Sequence, residues 1–369
     1  MKFLDCIQIS PPVSLVKGKI YSFIEMANVS TVFREPDYID VKAFSSGTKF
    51  EDGDTVIARI EPCLQNGKRF FVKGIGKGFG STEFLVFRPK TIGVDNKYLY
   101  YFMKTEYIQQ LMVSSMTGAT GRQRVNNDIF ADLEISLPDI SVQRRIASIL
   151  SAYDDLIENN RRQIKLLEEA AQRLYREWFV ELRFPGHEGV KVVDGVPEGW
   201  MKVCLKDICE TKTGKKDANF GCDDGAYPFF TCAQAPIKAP SYSFDCSAVI
   251  LAGNGDFNVK LYRGKFEAYQ RTYVLSPANT EYLFLLYNAV SRNMNVLTKG
   301  ASGSTIKFLT KGMIDSIELL IPSSQLLTTY NQNSEALQKS IEALHRKVAL
   351  AVEARDRLLP KLMNSEMEI

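Results

Sequence analysis

The chain has 369 residues, of which 45% are hydrophobic and 24% are charged, and its formal net charge at pH 7 is +3. This length predicts two or three globular domains, and the composition excludes a fibrous or largely disordered protein. A charge this close to zero excludes a uniformly basic surface, so any DNA binding would use local basic patches.

Short runs rich in β-branched and aromatic residues predict strands in both halves of the chain, each set followed by one helix. In the first half the strands fall at 55–60, 68–72 and 83–88, and the helix at 96–112. In the second half they fall at 247–252, 259–262 and 271–275, and the helix at 280–297. Each half therefore begins with a mixed α+β domain.

A long amphipathic helix is predicted after each of these domains. Its seam residues are separated alternately by four and three positions, which is typical of the a and d positions of a coiled coil. The first seam comprises Ile146, Leu150, Tyr153, Ile157, Asn160, Ile164, Leu167, Ala171, Leu174 and Trp178. The second comprises Tyr330, Ser334, Leu337, Ile341, Leu344, Val348, Ala351, Arg355, Leu358 and Leu362.

The matching seams favour pairing of the two helices with each other, although each helix could instead cover a separate core. Asn160 is polar within an apolar seam, and it either fixes the helix register or is a solvated defect. Pro185 and Gly186 are expected to stop the first helix, and Pro360 to kink or end the second.

An internal repeat of about 184 residues relates the two halves. The matching segments are 98–100 with 282–284, 117–121 with 299–303, and 133–138 with 317–322. The sequence thus predicts a domain at 1–138, a helix at 139–185, a second domain at 186–322 and a second helix at 323–369.

Motifs for catalysis and metal binding are missing from the sequence. Seven cysteines without a C-x-x-C pair and only two histidines predict neither a disulfide framework nor a zinc site. The chain has no phosphate-binding G-x-x-x-x-G-K-[ST] loop, and its single Pro-Pro pair lacks the aromatic of an amino-methyltransferase loop. Residues 35–42 superficially resemble a metal-nuclease motif but are expected to form a surface turn and strand.

Several segments resemble the specificity subunit of Type I restriction–modification systems. The most specific are YREWFVELRFPG at 175–186 and VPEGW at 196–200. The C-terminal RLLPKLMNSEMEI at 357–369 and the pair AGNGDF at 252–257 and GASGSTIKFL at 300–309 add to the resemblance. It covers the whole chain, in the order domain, helix, domain, helix.

The resemblance implies an α+β fold of two target-recognition domains and two long antiparallel coiled-coil helices with an internal pseudo-twofold repeat. Each domain would read one half of a bipartite site in double-stranded DNA. The implied partners are two methyltransferase subunits, which methylate adenine N6 with S-adenosylmethionine, and restriction subunits that use ATP and Mg²⁺. The chain itself would be non-catalytic and hold no cofactor or metal.

Two alternatives remain open from the sequence. The chain could serve a related Type II-like nuclease–methylase system, or it could be a coiled-coil scaffold that binds only proteins. Its apolar runs are too short to cross a bilayer, and its N-terminus lacks the apolar stretch of a signal peptide. A cytoplasmic protein with no membrane partner is therefore expected.

Candidate DNA contacts are basic, amide and hydroxyl side chains in predicted loops, because these groups reach base edges and phosphates. In the first domain they are Lys68, Arg69, Lys73, Lys77, Thr117, Thr120, Arg122 and Arg124. In the second they are Lys212, Lys215, Lys216, Gln234, Asn254, Arg271, Ser302, Ser304, Thr305 and Lys307.

Overall fold

A computed structural model describes residues 1–301 and 307–364 and divides the chain into two compact units. Unit 1 is Met1–Ile164 together with the chain from Ala343 onward, and unit 2 is Lys165–Glu342. Each unit thus combines one globular domain with part of both long helices, whereas the sequence analysis placed each helix in a segment of its own.

Unit 1 contains two four-stranded sheets. Their strand orders are β1-β8-β5-β6 and β3-β2-β7-β4. The elements are α1 Phe3–Cys6, β1 Ile7–Ile9, β2 Ile20–Ile24, β3 Asp40–Ala43, β4 Thr48–Glu51, β5 Thr55–Ala58, β6 Arg69–Phe71, β7 Lys77–Gly80, β8 Phe84–Pro89, α2 Asn96–Phe102, α3 Glu106–Ser114 and the first part of α4 Ile140–Phe179. One hydrophobic core lies between the first sheet and α2 and α3, and a second lies between the two sheets.

The three strands predicted in this half are confirmed, but the single helix predicted at 96–112 is wrong. The chain leaves the helical path between α2 and α3. Thr105 Oγ1 donates a hydrogen bond to the carbonyl of Phe102 at 2.7 Å. A side-chain hydroxyl that bonds a backbone carbonyl in this way competes with helix continuation, so α2 ends and α3 starts again.

Unit 2 is built on one six-stranded sheet with the order β12-β17-β15-β16-β13-β14. Its elements are β9 Val192–Val193, β10 Val196–Pro197, β11 Met201–Cys204, α5 Leu205–Ile208, β12 Cys209–Thr213, β13 Tyr227–Phe230, β14 Ile237–Ala239, β15 Phe244–Ala252, β16 Val259–Ala268, β17 Thr272–Pro277, α6 Leu283–Gly300, α7 Lys311–Asp315, β18 Glu318–Ile321 and the first part of α8 Ser324–Met363. The three predicted strands and the predicted helix of this half are confirmed as β15, β16, β17 and α6.

Helices α4 and α8 have 40 residues each, or about 60 Å at 1.5 Å per residue. Within unit 1, Leu150 of α4 packs in one cluster with Leu359 and Leu362 of α8. Within unit 2, Trp178 lies 5.9 Å from Tyr330, between ring centroids. Early residues of one helix meet late residues of the other, so the helices pair antiparallel.

The predicted seams coincide with the buried faces of both helices. The buried seam residues are Ile146, Leu150, Ile157, Asn160, Ile164, Trp178, Tyr330, Ser334, Ile341, Leu344, Val348, Ala351, Arg355 and Leu362. The half-buried positions are Tyr153, Leu167, Ala171, Leu174, Leu337 and Leu358. The hydrophobic spacing therefore predicted the contact faces correctly.

The helix ends differ from the prediction. Helix α4 ends at Phe179, six residues before Pro185, and Leu182 adopts a left-handed backbone with φ of 56°. Helix α8 continues through Pro360 to Met363. A proline interrupts one hydrogen bond to the preceding turn, and so close to the helix end this does not stop α8.

A buried ion pair joins α4 and α8 within unit 1. Arg355 donates to Asp154 Oδ1 at 2.6 Å, and both side chains are 1% exposed. The hydroxyl of Tyr101, on α2, donates to Asp154 Oδ2 at 2.5 Å. Arg355 also donates to the carbonyl of Val32 at 3.0 Å. One network therefore connects both helices to the first globular domain.

Replacing Arg355 tests the strength of this network. We expect Arg355→Met to lower the free energy of unfolding by about 3–5 kcal/mol, because Asp154 would keep a buried charge without a partner. Adding Asp154→Asn should restore part of the loss, since an amide removes the charge and still accepts from Tyr101. Urea denaturation measures both variants.

The control is Arg144→Met, the same substitution at an exposed position of α4, which should change stability by less than about 0.5 kcal/mol. If Arg355→Met were as mild as this control, the network would be unimportant for folding.

Candidate nucleic-acid interface

In unit 1, three backbone segments are joined side by side where strand β5 ends. The amide of Arg59 donates to the carbonyl of Glu83 at 2.8 Å, and the amide of Val125 donates to the carbonyl of Arg59 at 2.9 Å. Ile60 and Arg124 form an antiparallel bridge beside them. We call these three joined segments the frame of the domain.

The same frame occurs in unit 2 where strand β15 ends. The amide of Gly253 donates to the carbonyl of Arg271 at 2.8 Å, and the amide of Leu309 donates to the carbonyl of Gly253 at 2.8 Å. Asn254 and Phe308 form the corresponding antiparallel bridge. The internal repeat therefore extends to individual hydrogen bonds.

The glycine-rich loop predicted to bind DNA enters this frame in unit 1. In unit 1 the loop at 117–124 is closed by two hydrogen bonds, from the Thr117 amide to the Arg124 carbonyl at 3.0 Å and in the reverse direction at 2.9 Å. In unit 2 the corresponding loop includes Ser302, Ser304 and Thr305, which lie outside the described residues. The chain resumes at Lys307, which is exposed and precedes the bridge residue Phe308.

Two carboxylates hold the loop of unit 1. Glu61 Oε2 accepts from the amide of Gly121 at 2.8 Å. Glu83 accepts from Arg124 Nη2 at 2.7 Å and from Arg124 Nε at 2.9 Å. The guanidinium of Arg124 thereby lowers the pKa of the Glu83 carboxyl, so the pair is charged at neutral pH.

The side chains of the remaining candidates on this loop have no hydrogen-bond partner among the described residues. Thr117, Thr120 and Arg122 are exposed. Within the described part of the chain, the guanidinium of Arg122 forms neither a hydrogen bond nor an ion pair with another side chain. Arg122 is therefore the loop cation available to a ligand.

Arg69 must be withdrawn from the candidate contacts. It is only 6% exposed, and its guanidinium donates to the carbonyl of Met103 at 2.7 Å and to Gln109 Oε1 at 2.6 Å. These bonds make it a structural residue of the domain interior.

The three lysines flanking β6 and β7 differ in their surroundings. Lys68 donates to the carbonyl of Met26 at 2.7 Å. Lys73 is exposed but lies 3.1 Å from Asp155 on α4, so it links the domain to the helix. Lys77 is exposed at the start of β7. Of these three, only Lys77 has an unoccupied ammonium among the described residues.

In unit 2, amide side chains dominate the neighbourhood of the frame. Asn254 Oδ1 accepts from the Cys232 thiol at 3.0 Å, and Gln234 donates to Asp256 Oδ2 at 2.7 Å. Asn258 donates to the carbonyl of Cys232 at 3.0 Å. The predicted candidates Gln234 and Asn254 thus belong to one polar cluster.

The predicted cations of unit 2 differ in their surroundings. Arg271 is exposed and contributes its carbonyl to the frame. Lys212 pairs with Glu210 at 2.8 Å, and Lys216 lies 4.3 Å above the ring of Phe220. Lys215 is exposed. Arg271 is the predicted cation that lies in the frame itself.

Five residues near the frames escaped the sequence analysis. They are Arg59, Glu61 and Glu83 in unit 1, and Asn258 and Lys260 in unit 2. Aligning the ends of β5 and β15 across the internal repeat would have indicated Arg59 and Glu61, because Arg59 lies near the end of the strand predicted at 55–60 and Glu61 directly follows it. Glu83 could not be found this way, since acidic residues were not considered as partners of the basic loop.

This chemistry suits base recognition. Guanidinium groups match the acceptor pair of guanine, and the amides of Asn and Gln match adenine.

Among the described residues, no group of three or more His, Cys, Asp or Glu side chains could hold a metal ion. None of the described helices has the length and apolarity needed to span a membrane.

Comparison with known proteins identifies similar chains. The family model "Type I restriction modification DNA specificity domain" matches residues 16–169 and 197–353. The Type I restriction enzyme EcoDI specificity subunit of Escherichia coli is 38% identical over 47% of this chain and 39% of its own length. The MjaIX specificity subunit of Methanocaldococcus jannaschii is 23% identical over 75% of this chain and 70% of its own.

A solved structure shares the fold. The crystal structure of the Type I restriction–modification system S subunit from M. genitalium superposes with a TM-score of 0.59 at 15% identity, covering 98% of this chain and 95% of that chain. The alignment with EcoDI, in contrast, spans only about two fifths of that relative.

The frame of unit 2 depends on the small size of Gly253. A Cβ at this position would lie 2.5 Å from the carbonyl oxygen of Arg271. We expect Gly253→Ala to lower the free energy of unfolding by about 1–3 kcal/mol, since the backbone must shift to relieve the overlap. Urea denaturation measures the change.

Gly189→Ala is the matched control, because a Cβ there has no heavy atom within 4 Å. Equal effects of the two substitutions would contradict the importance of the frame.

Proposed function

The chain belongs to the family of Type I restriction modification DNA specificity domains, and on this premise we propose that it is the sequence-recognition subunit of a Type I restriction–modification enzyme. Each globular domain reads one half of a bipartite site in double-stranded DNA. The unit 1 frame and loop read one half-site, and the unit 2 frame and its polar cluster read the other.

The observation that carries this proposal is the repeated frame with different side chains. The hydrogen bonds of Arg59 with Glu83 and Val125 have the same donors and acceptors as those of Gly253 with Arg271 and Leu309. The frame in unit 1 has Arg59, Arg122 and Arg124 in or beside it, together with two carboxylates. The frame in unit 2 contains one exposed arginine, Arg271, and has a cluster of amide side chains beside it. A shared backbone with different polar groups suits two readers of different sequences.

The chemistry of modification and cleavage belongs, in this proposal, to partner subunits. Two methyltransferase subunits supply S-adenosylmethionine and methylate adenine N6, and restriction subunits supply the ATP- and Mg²⁺-dependent motor and nuclease. This chain contributes no catalytic group. Its helices also present exposed leucines, Leu156 and Leu350 in unit 1 and Leu166 in unit 2, which suit protein partners.

Domain replacement tests the division of labour. When residues 1–138 are exchanged for the corresponding segment of a relative with a different site, we expect one half-site of the methylated sequence to change. The other half-site should stay the same, because the unit 2 frame is untouched. Sequencing that detects N6-methyladenine in cells carrying each version reports both half-sites, and a change in both would contradict the proposal.

Single substitutions should separate the two readers further. We expect Arg122→Ala to reduce discrimination at one base pair of the first half-site by about 1–3 kcal/mol, the usual value of a bidentate base contact. Arg271→Ala should act only on the second half-site. Lys97→Ala, at an exposed cation on α2 of unit 1, is the control and should leave both half-sites unchanged. If Arg122→Ala altered the second half-site, the assignment of readers would be wrong.

A further inference from the structure

Glu83 makes the densest set of contacts to the unit 1 loop. Its two oxygens accept from Arg124 Nε at 2.9 and 3.1 Å, and Oε1 also accepts from Nη2 at 2.7 Å. The opposite nitrogen of the same guanidinium, Nη1, donates to the carbonyl of Arg122 at 3.2 Å. All three guanidinium nitrogens of Arg124 therefore donate hydrogen bonds, and Nη1 holds the backbone of Arg122.

This ion pair contributes little to folding. The side chains of Arg124 and Glu83 are 44% and 24% exposed, and exposed ion pairs are weak in water. Carboxylates beside a surface that faces phosphates also oppose DNA binding electrostatically. Glu61 adds a second negative charge where it accepts from the amide of Gly121. Two carboxylates at this position therefore call for a role other than stability or affinity.

We propose that Glu83 is a positioning residue that determines specificity in the first domain, an inference that rests on the proposed function. It keeps Arg124 from binding phosphates and holds the loop at 117–124 in one shape. Arg122 is then the loop guanidinium that faces DNA, where it reads a guanine. The non-specific attraction of the loop to DNA phosphates is thereby reduced. The contact of Arg122 with the base then accounts for a larger share of the binding free energy.

The number of phosphates that the protein contacts can be measured from the salt dependence of DNA binding, because each contact releases counterions from the DNA. Each phosphate neutralised by a protein cation steepens the dependence of log K on log salt by about 0.9. Glu83→Gln cannot hold Arg124 as an ion pair, so Arg124 becomes free to bind a phosphate. We expect the slope on a 40-base-pair duplex of random sequence to steepen by about 0.9, with about eightfold tighter binding at 0.1 M salt.

The experiment uses the full chain copurified with its methyltransferase subunit. Glu83→Gln/Arg124→Gln should return the slope to the wild-type value, because the freed cation is removed. Glu25→Gln is the matched control, since Glu25 pairs with the exposed Lys42 at 2.8 Å in the same unit, and it should leave the slope unchanged. Unfolding of the Glu83→Gln protein would weaken its binding to the duplex, whereas the proposal expects tighter binding.

A second variant, Arg124→Gln, tests the proposal even if Glu83→Gln folds poorly. In this proposal Arg124 does not bind phosphate in the wild-type protein, so Arg124→Gln should keep the wild-type slope. A slope shallower by about 0.9 would show that Arg124 contacts DNA directly, and it would overturn the inference. An unchanged slope for a folded Glu83→Gln protein would overturn it as well.

The proposed function is judged separately, on the wild-type complex alone. That complex should bind a duplex carrying its methylated site more tightly than the random duplex. If it does not discriminate, the proposed function fails. If it discriminates while Glu83→Gln behaves like wild type, only the role of Glu83 fails.

Discussion

The buried pair between Arg355 and Asp154 joins the two long helices inside unit 1. Two charges that are 1% exposed require each other, because either alone would be costly in the interior. Their contact requires α4 and α8 to lie side by side at this point, and Tyr101 and the Val32 carbonyl extend the constraint to the globular domain. The loop that we propose to face DNA is therefore carried by a domain attached to both helices.

Much of the fold could be predicted from periodic patterns. The seams of α4 and α8 and six strands followed from residue spacing, since burial of one face repeats regularly along a helix or strand. Local backbone events were not predictable in this way. The break between α2 and α3 depends on one hydroxyl of Thr105, and α8 continues through Pro360 because little helix remains after it.

The candidate site was predictable in position but not in composition. The repeat located the glycine-rich loops, and the structure shows that the loop of unit 1 ends in its frame. The role of each candidate arginine depends on hydrogen-bond partners that are distant in sequence. Arg69 is occupied by Met103 and Gln109, and Arg124 by Glu83, whereas Arg122 is free. Three arginines that were all predicted to contact DNA thus have three different environments, and tertiary contacts alone distinguish them.

We propose that each half of this chain reads one half of a split DNA sequence for adenine methylation. Mapping N6-methyladenine in the host genome, with the intact gene and after its deletion, tests this most directly. We expect one bipartite motif, two short defined sequences separated by a spacer of fixed length and unspecified sequence, whose methylation disappears on deletion. Persistence of all methylated motifs after deletion, or loss of a single continuous motif, would contradict it.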